Sequence, residues 1–152
     1  MSRSVWGPCT WYLFHTLAEK IKDEHFDDMK MEIVGVISEI CQNLPCPECM
    51  MHAAAKMKKL NSNSIQTKEH LQIALLQFHN EVNTRKGKPL FTQTELNNKY
   101  RLAKTDMMIN YFIQTWTKQY NIPKLMSQGF HRRLFLNKFR SWINTHRQKF
   151  MH

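Results

Sequence analysis

Cys46-Pro47-Glu48-Cys49 is the segment whose residue types can do chemistry most directly. Two cysteines at i and i+3 in the first turn of a helix bring their sulfurs within bonding reach. The positive end of the helix dipole stabilises a thiolate there. A thiolate of lowered pKa makes a readily exchanged disulfide, which suits redox work. Three readings are open: a redox pair, a metal site, and an inert pair. The usual redox setting of C-x-x-C is a thioredoxin-like βαβ unit, and no strand pattern is visible in this chain. For zinc, Cys46, Cys49 and His52 have C-x2-C-x2-H spacing, and Cys41 is available as a fourth ligand. Cys41 equally fits an apolar stripe with Val36, Ile37 and Ile40, where a buried free cysteine is common.

Two further segments carry ring and phosphate chemistry. In Trp6-Gly7-Pro8-Cys9-Thr10-Trp11-Tyr12-Leu13-Phe14-His15-Thr16, Trp11 and His15 stand at i, i+4. In His79-Asn80-Glu81-Val82-Asn83-Thr84-Arg85-Lys86-Gly87-Lys88-Pro89, His79, Asn83 and Lys86 fall at i, i+4, i+7. A stripe of His, Asn and Lys opposite an apolar face can bind a phosphorylated, ring-bearing cofactor. The same spacing also describes a solvated helix face, and Trp11 on its own also reads as a core residue.

These residues need helices to position them, and the periodicity is helical nearly throughout. Trp11, Phe14, His15 and Ala18 recur at i, i+3, i+4, i+7, with Pro8 and Thr10 as start signals. A second helix fits 27–43, ended by Leu44-Pro45, and a third fits 46–60. Asn61-Ser62-Asn63-Ser64 reads as a loop. Thr67 caps a fourth helix running to about Lys86, stopped by Gly87 and Pro89. A short fifth helix fits 94–103 and a sixth 105–120, followed by a break at Pro123 and Gly129. The last stretch, 130–150, aligns Phe135, Phe139, Trp142 and Ile143. The fold class is all-α: a bundle of four to five helices over residues 1–104, then a basic helical extension over 105–152.

Composition agrees with one globular unit. The 152 residues are 42% hydrophobic and 22% charged, with four Gly and five Pro, enough to bury a core without staples. Four cysteines are too sparse for a disulfide-framed scaffold. No apolar run reaches 18 residues and no apolar signal core opens the chain, so neither a transmembrane helix nor secretory entry is expected. The formal charge is +10. No acidic residue follows Asp106, whereas Lys118, Lys124, Arg132, Arg133, Lys138, Arg140, Arg147 and Lys149 do. A basic amphipathic helix can meet nucleic acid, an anionic membrane or a partner. Packing of its stripe on the bundle or across a dimer is the preferred reading here, since no base-reading motif is present. The non-enzymatic alternative for the whole chain is a zinc-binding or basic adaptor protein.

Taken in order, the three segments resemble the Erv/ALR family of FAD-linked sulfhydryl oxidases, especially the short versions encoded by large cytoplasmic DNA viruses. The family patterns G-x-x-x-W-x-x-x-H-T, Y/L-P-C-x-x-C and H-N-x-V-N-x-x-x-G-K-P meet Gly7…Trp11…His15-Thr16, Leu44-Pro45-Cys46-Pro47-Glu48-Cys49 and His79-Asn80-Glu81-Val82-Asn83…Gly87-Lys88-Pro89. The resemblance covers roughly residues 6–103. It implies a helical bundle holding FAD as a homodimer, and oxidation of protein dithiols with oxygen reduced to hydrogen peroxide. By position, Cys49 is implied as the flavin-proximal sulfur and Cys46 as the sulfur that meets incoming thiols. Gly7, Trp11, His15, His79, Asn80, Val82 and Asn83 are implied at the flavin, Lys86 and Lys88 near its phosphates, and Tyr100 against the cofactor. No metal is implied. Two family features are missing: a second shuttle C-x-x-C pair, and a structural disulfide partner after Cys49. Cys9 and Cys41 remain, with Cys9 read as a buried thiol or a resolving partner. Without a targeting signal, the cytoplasm, or a virion, is the expected location.

Overall fold

The computed structural model describes residues 3–60, 63–120 and 126–152. Among these residues there are seven α-helices: α1 Arg3–Lys20, α2 Asp23–Gln42, α3 Pro47–Lys59, α4 Lys68–Arg85, α5 Gln93–Arg101, α6 Thr105–Tyr120 and α7 Met126–His146. Five precede residue 104, and a single 3-10 turn, Arg147–Lys149, follows α7. The only extended pairing among the described residues is an isolated antiparallel bridge between Ile21 and Phe150. No helix is long and apolar enough to cross a membrane, among the described residues.

The local signals account for most boundaries. Thr67 caps α4, its hydroxyl accepting from the His70 N–H at 3.1 Å, and Thr92 caps α5 the same way through the Glu95 N–H. At the end of α4, Gly87 takes φ +67°. The Gly87 N–H then reaches the Thr84 carbonyl at 3.2 Å and the Lys88 N–H the Asn83 carbonyl at 2.8 Å. This paired closure is the Schellman arrangement, and it requires the left-handed conformation that glycine adopts without penalty.

Three expectations shift. Helix α1 begins at Arg3 rather than near Pro8, although Pro8 cannot donate within it. Helix α2 begins a turn before Asp27, with Asp23 and Glu24 at its positive end. Gly129 lies inside α7 and does not break it; one glycine costs a helix only about 1 kcal/mol. The expected break at Pro123 falls outside the described residues.

Helix α1 is the centre of the molecule. Trp6, Cys9, Leu13, Phe14, Leu17 and Ala18 are all buried, and so are the polar Thr10, His15 and Thr16. Helices α4, α5 and α6 all pack on it, α6 most extensively. Phe112 and Trp116 of α6 are fully buried, and the Trp116 indole N–H donates to the Thr10 hydroxyl at 3.1 Å. The stripe of α7 is also buried: Phe135, Leu136, Phe139 and Ile143 join the same hydrophobic cluster as α1 and α2, with Trp142 packed against it. The chain end is tied down by backbone bonds, Lys22 N–H to the Lys149 carbonyl at 2.9 Å and Met151 N–H to the Lys20 carbonyl at 2.6 Å.

Several extension charges are used internally. Lys138 pairs with Glu39 at 2.8 Å, Arg147 bonds Asp106, and Arg132 donates to the Leu44 carbonyl at 3.3 Å. Truncating the indole that joins α6 to α1 is expected to cost about 3–5 kcal/mol, the range for buried aromatic deletions. Guanidinium unfolding of Trp116→Ala against the parent chain measures this. A loss below about 1 kcal/mol would mean that α6 is a peripheral layer and not part of the core.

Candidate functional site

Leu44 is buried and anchors the segment that leads into α3. Cys46 follows as the N-cap of α3 in extended conformation, with Pro47 at the first helical position, where a missing N–H costs nothing. This places Cys46 and Cys49 one turn apart, with Cα atoms 5.2 Å from each other, joined as a disulfide. Cys46 Sγ accepts from the Cys49 N–H at 3.2 Å and from Arg3 Nη2 at 3.4 Å. Both cysteines are half-buried.

The two sulfurs face different surroundings. Cys49 lines an open cleft between α1, α3 and α4; Cys46 does not line it. Trp11, Phe14 and Phe78 supply its aromatic walls, Gly7 its floor on α1, and Val82, Arg85 and Lys86 its α4 side. A Cβ added at Gly7 would meet no atom within 4 Å, so a larger side chain there would project into open space. Positive charge collects at one end. The Lys86 pKa is lowered, first by burial and then by the nearby Lys88, Arg3 and Arg85.

Beside the cleft, Trp11 stacks on His79 with ring centroids 4.0 Å apart and planes within 5°. His79 Nδ1 and His15 Nε2 share a hydrogen bond of 2.9 Å, one ring donating and the other accepting. Tyr100 lies behind, its ring centroid 5.0 Å from that of His15. His15 and Tyr100 line a small separate pocket rather than the cleft. Asn80 spends its amide on the loop: Nδ2 donates to the Phe91 carbonyl and Oδ1 accepts from the Phe91 N–H, both at 2.9 Å. Asn83 is buried, and its Nδ2 has no partner. Lys88 is exposed at the end of α4.

The structure therefore brings Gly7, Trp11, Val82, Lys86 and Cys49 together on one cleft, with His79 and His15 stacked next to it. Asn80 acts as a brace for the loop, and Tyr100 sits one layer back. Sequence spacing missed Arg3, Phe78 and Arg85. Phe78 directly precedes the His79–Pro89 segment, and nothing local marks Arg3.

These residues fit FAD. Aromatic walls suit a planar ring system, the cations suit phosphate, the open space over Gly7 suits close approach, and the Trp6 indole N–H, buried at the cleft, has no partner. They fit zinc less well. A disulfide offers no thiolate ligands, and no group of three His, Cys, Asp or Glu side chains converges for a metal among the described residues. Cys41 is buried in the core and also borders the cleft; burial pushes its thiol up to about 12. Cys9 is a fully buried free thiol that donates to the Trp6 carbonyl at 3.2 Å, and burial raises its pKa.

Burial also holds the two stacked histidines neutral, His15 at about 3 and His79 at about 4, with nearby positive charge adding to the effect. Both values lie below the unfolded 6.5, so the unfolded chain binds more protons over that interval. Stability is then complete above about pH 6.5 and is lost as the pH falls toward 3. Near pH 5 these two histidines together should contribute nearly two protons to the slope of unfolding free energy, and His79→Gln should remove about one of them. Denaturant unfolding across pH 4–7 checks this. An unchanged slope in the variant would show that His79 is not held neutral.

The comparisons with known proteins point the same way. The family model for the Erv1/Alr family matches residues 8–101. The chain is 32% identical over 95 residues to the "FAD-linked sulfhydryl oxidase" of African swine fever virus (Warthog/Namibia isolate), a match covering 62% of this chain and 79% of that protein. It is 29% identical over 96 residues to "FAD-linked sulfhydryl oxidase ERV1" of Oryza sativa subsp. japonica, covering 62% of this chain and 48% of that protein. No solved structure gives a significant match. With the redox pair, the histidine stack and most of the cleft lining inside the matched stretch, the chain belongs to the Erv1/Alr family.

Proposed function

We propose that this chain is an FAD-linked sulfhydryl oxidase that makes disulfides in protein substrates, with oxygen as final acceptor and hydrogen peroxide as product. The observation that carries the reading is the split environment of the Cys46–Cys49 pair: Cys49 lines the cleft that fits FAD, and Cys46 lies outside it. When bound, FAD supplies the electron acceptor that the chain's own side chains lack.

The chain's residues handle the thiol chemistry. A substrate thiolate attacks Cys46 Sγ, the Cys46–Cys49 bond breaks, and Cys49 leaves as a thiolate facing the cleft. A second substrate thiolate attacks the substrate sulfur of the mixed disulfide, and Cys46 leaves in turn. The substrate has then lost two electrons and two protons, and the cysteine pair holds the electrons. Trp11, Phe14 and Phe78 keep water from the cleft side of Cys49. Arg85 and Lys86 are the residues placed to hold phosphates, and Gly7, Asn83, His79 and His15 to shape and orient the ring site.

The homodimer belongs to this proposal through the family resemblance, as does a cytoplasmic or virion location through the viral relatives. In this reading the segment 105–152 has no redox part of its own and serves packing.

Purified protein is expected to be yellow and to consume oxygen with dithiothreitol. Cys49→Ser should lose at least 99% of turnover with FAD retained, and Cys46→Ser should lose turnover as well. Gly7→Leu, which fills the open space beside the cleft, should fold but bind FAD at least tenfold more weakly. Absorbance spectra, oxygen uptake and peroxide assays read these outcomes. A colourless protein that FAD cannot reconstitute, or parent-like turnover in Cys49→Ser, would sink the reading.

A further inference from the structure

Arg3 stands in the first turn of α1, and its guanidinium touches the outer sulfur of the pair: Nη2 lies 3.4 Å from Cys46 Sγ. The same sulfur receives the Cys49 N–H at 3.2 Å and caps the N-terminus of α3. A disulfide sulfur is a weak acceptor and gains little from a cation. A thiolate gains much more, from the charge, from the N–H donor and from the helix dipole together. These contacts therefore favour the reduced, ionised form of Cys46 over the oxidised one. Arg3 also lies outside residues 8–101, the stretch the family model matches, so family likeness says nothing of it.

The geometry points to Arg3 as a catalytic residue of thiol exchange, holding the Cys46 thiolate as it leaves the mixed disulfide. This rests on the thiol-oxidase reading above. In the step concerned, the second substrate thiolate forms a bond to the substrate sulfur, and the bond from that sulfur to Cys46 breaks. The electron pair of the broken bond stays on Cys46 Sγ. A lower thiol pKa makes Cys46 the better leaving group and speeds the step.

Glu48 limits the effect. Its carboxylate is 3.8 Å from Arg3 and shares the charge, and the Arg3 side chain is 45% exposed. A shift at the low end of the charge-pair range, about one pH unit, is therefore expected. Arg3 also borders the cleft, so a role confined to cofactor phosphate is the competing account.

The pH dependence of Cys46 alkylation by iodoacetamide separates the two. It is read by mass spectrometry of the Cys46 peptide in full-length Cys49→Ser protein, where Cys46 has no disulfide partner. Arg3→Gln should raise the midpoint by about one unit, and Arg3→Lys by less than half of that. With Cys49 intact, Arg3→Gln should lower kcat with dithiothreitol several-fold at unchanged FAD content and melting temperature. An unchanged midpoint overturns the proposal, and so does FAD loss with an unchanged midpoint. Should Arg3→Gln not fold, raising salt to about 1 M over the Arg3 protein must raise the midpoint, since an exposed cation is screened there. A salt-insensitive midpoint then overturns it. Oxygen uptake by the unsubstituted protein tests the oxidase reading separately. A shifted midpoint without oxygen uptake would remove that reading and leave Arg3 on the thiolate.

Discussion

A helix buried on nearly every side must find a partner for each of its residues, and α1 is under that constraint. Its apolar side chains point to several neighbours at once, so no single stripe dominates its sequence. One side packs on α6, where Thr10 receives the Trp116 indole N–H and Tyr12 meets Tyr111. Another carries Gly7, Trp11 and Phe14 to the cleft, with His15 against His79. Because one rigid element serves both, the core and the site share a common frame. A change that moves α1 against α6 also moves Trp11 against His79 and Cys49. Burial of the polar residues in this helix follows the same logic. The Thr10 hydroxyl donates to the Trp6 carbonyl at 2.7 Å and accepts from Trp116, so the group is satisfied twice and costs little to bury.

The polar atoms left unsatisfied are informative for that reason. Buried groups without partners are few in native proteins and call for an explanation. Among the described residues they include the Asn83 amide, the Trp6 indole N–H and the Thr16 hydroxyl. Trp6 lines the cleft, and a bound group with acceptors offers its N–H what the chain does not. Thr16 and Asn83 do not line that cleft, and neither do Trp142 and His146, whose ring centroids on α7 lie 5.6 Å apart. Nothing in the structure explains those four.

Much of this was legible in the sequence where the controlling interactions are local. Thr67, Gly87 and the start of α3 at Cys46-Pro47 are short-range decisions of capping and backbone conformation, and the helices end where those signals say. The stripe Phe135, Phe139, Trp142, Ile143 also reads correctly, because a surface helix that buries one face keeps a clean period. What could not be read depends on distant partners. The bond between Thr10 and Trp116 spans 106 residues, and no pattern near either residue encodes it. Pro8 is a common start signal, yet tertiary packing of Trp6 carries α1 through it from Arg3. Motif position alone puts Asn80 with the cofactor residues. Only the fold shows that its amide is spent on Phe91, which fixes the loop that passes His79.

The redox pair shows how far its position depends on elements outside its own segment. Residues 44–46 carry one buried apolar anchor, Leu44, and one proline, which is little to hold a sulfur in register. The first turn of α3 adds the Cys49 and Met50 N–H groups on Cys46, and two arginines reach in from outside: Arg3 on Cys46 Sγ, and Arg132 from α7 on the Leu44 carbonyl. Both arginines lie outside residues 8–101. A carbonyl held by a guanidinium resists rotation of the peptide that leads into Pro45, and so limits the φ/ψ freedom of the turn that delivers Cys46. The basic segment after residue 105 therefore reaches the chemistry through backbone geometry, and not through any reactive group of its own. This accounts for a helix whose charges are only partly solvated: some of them brace the bundle from outside, and Arg132 does so at the turn where the exchanging sulfur is held.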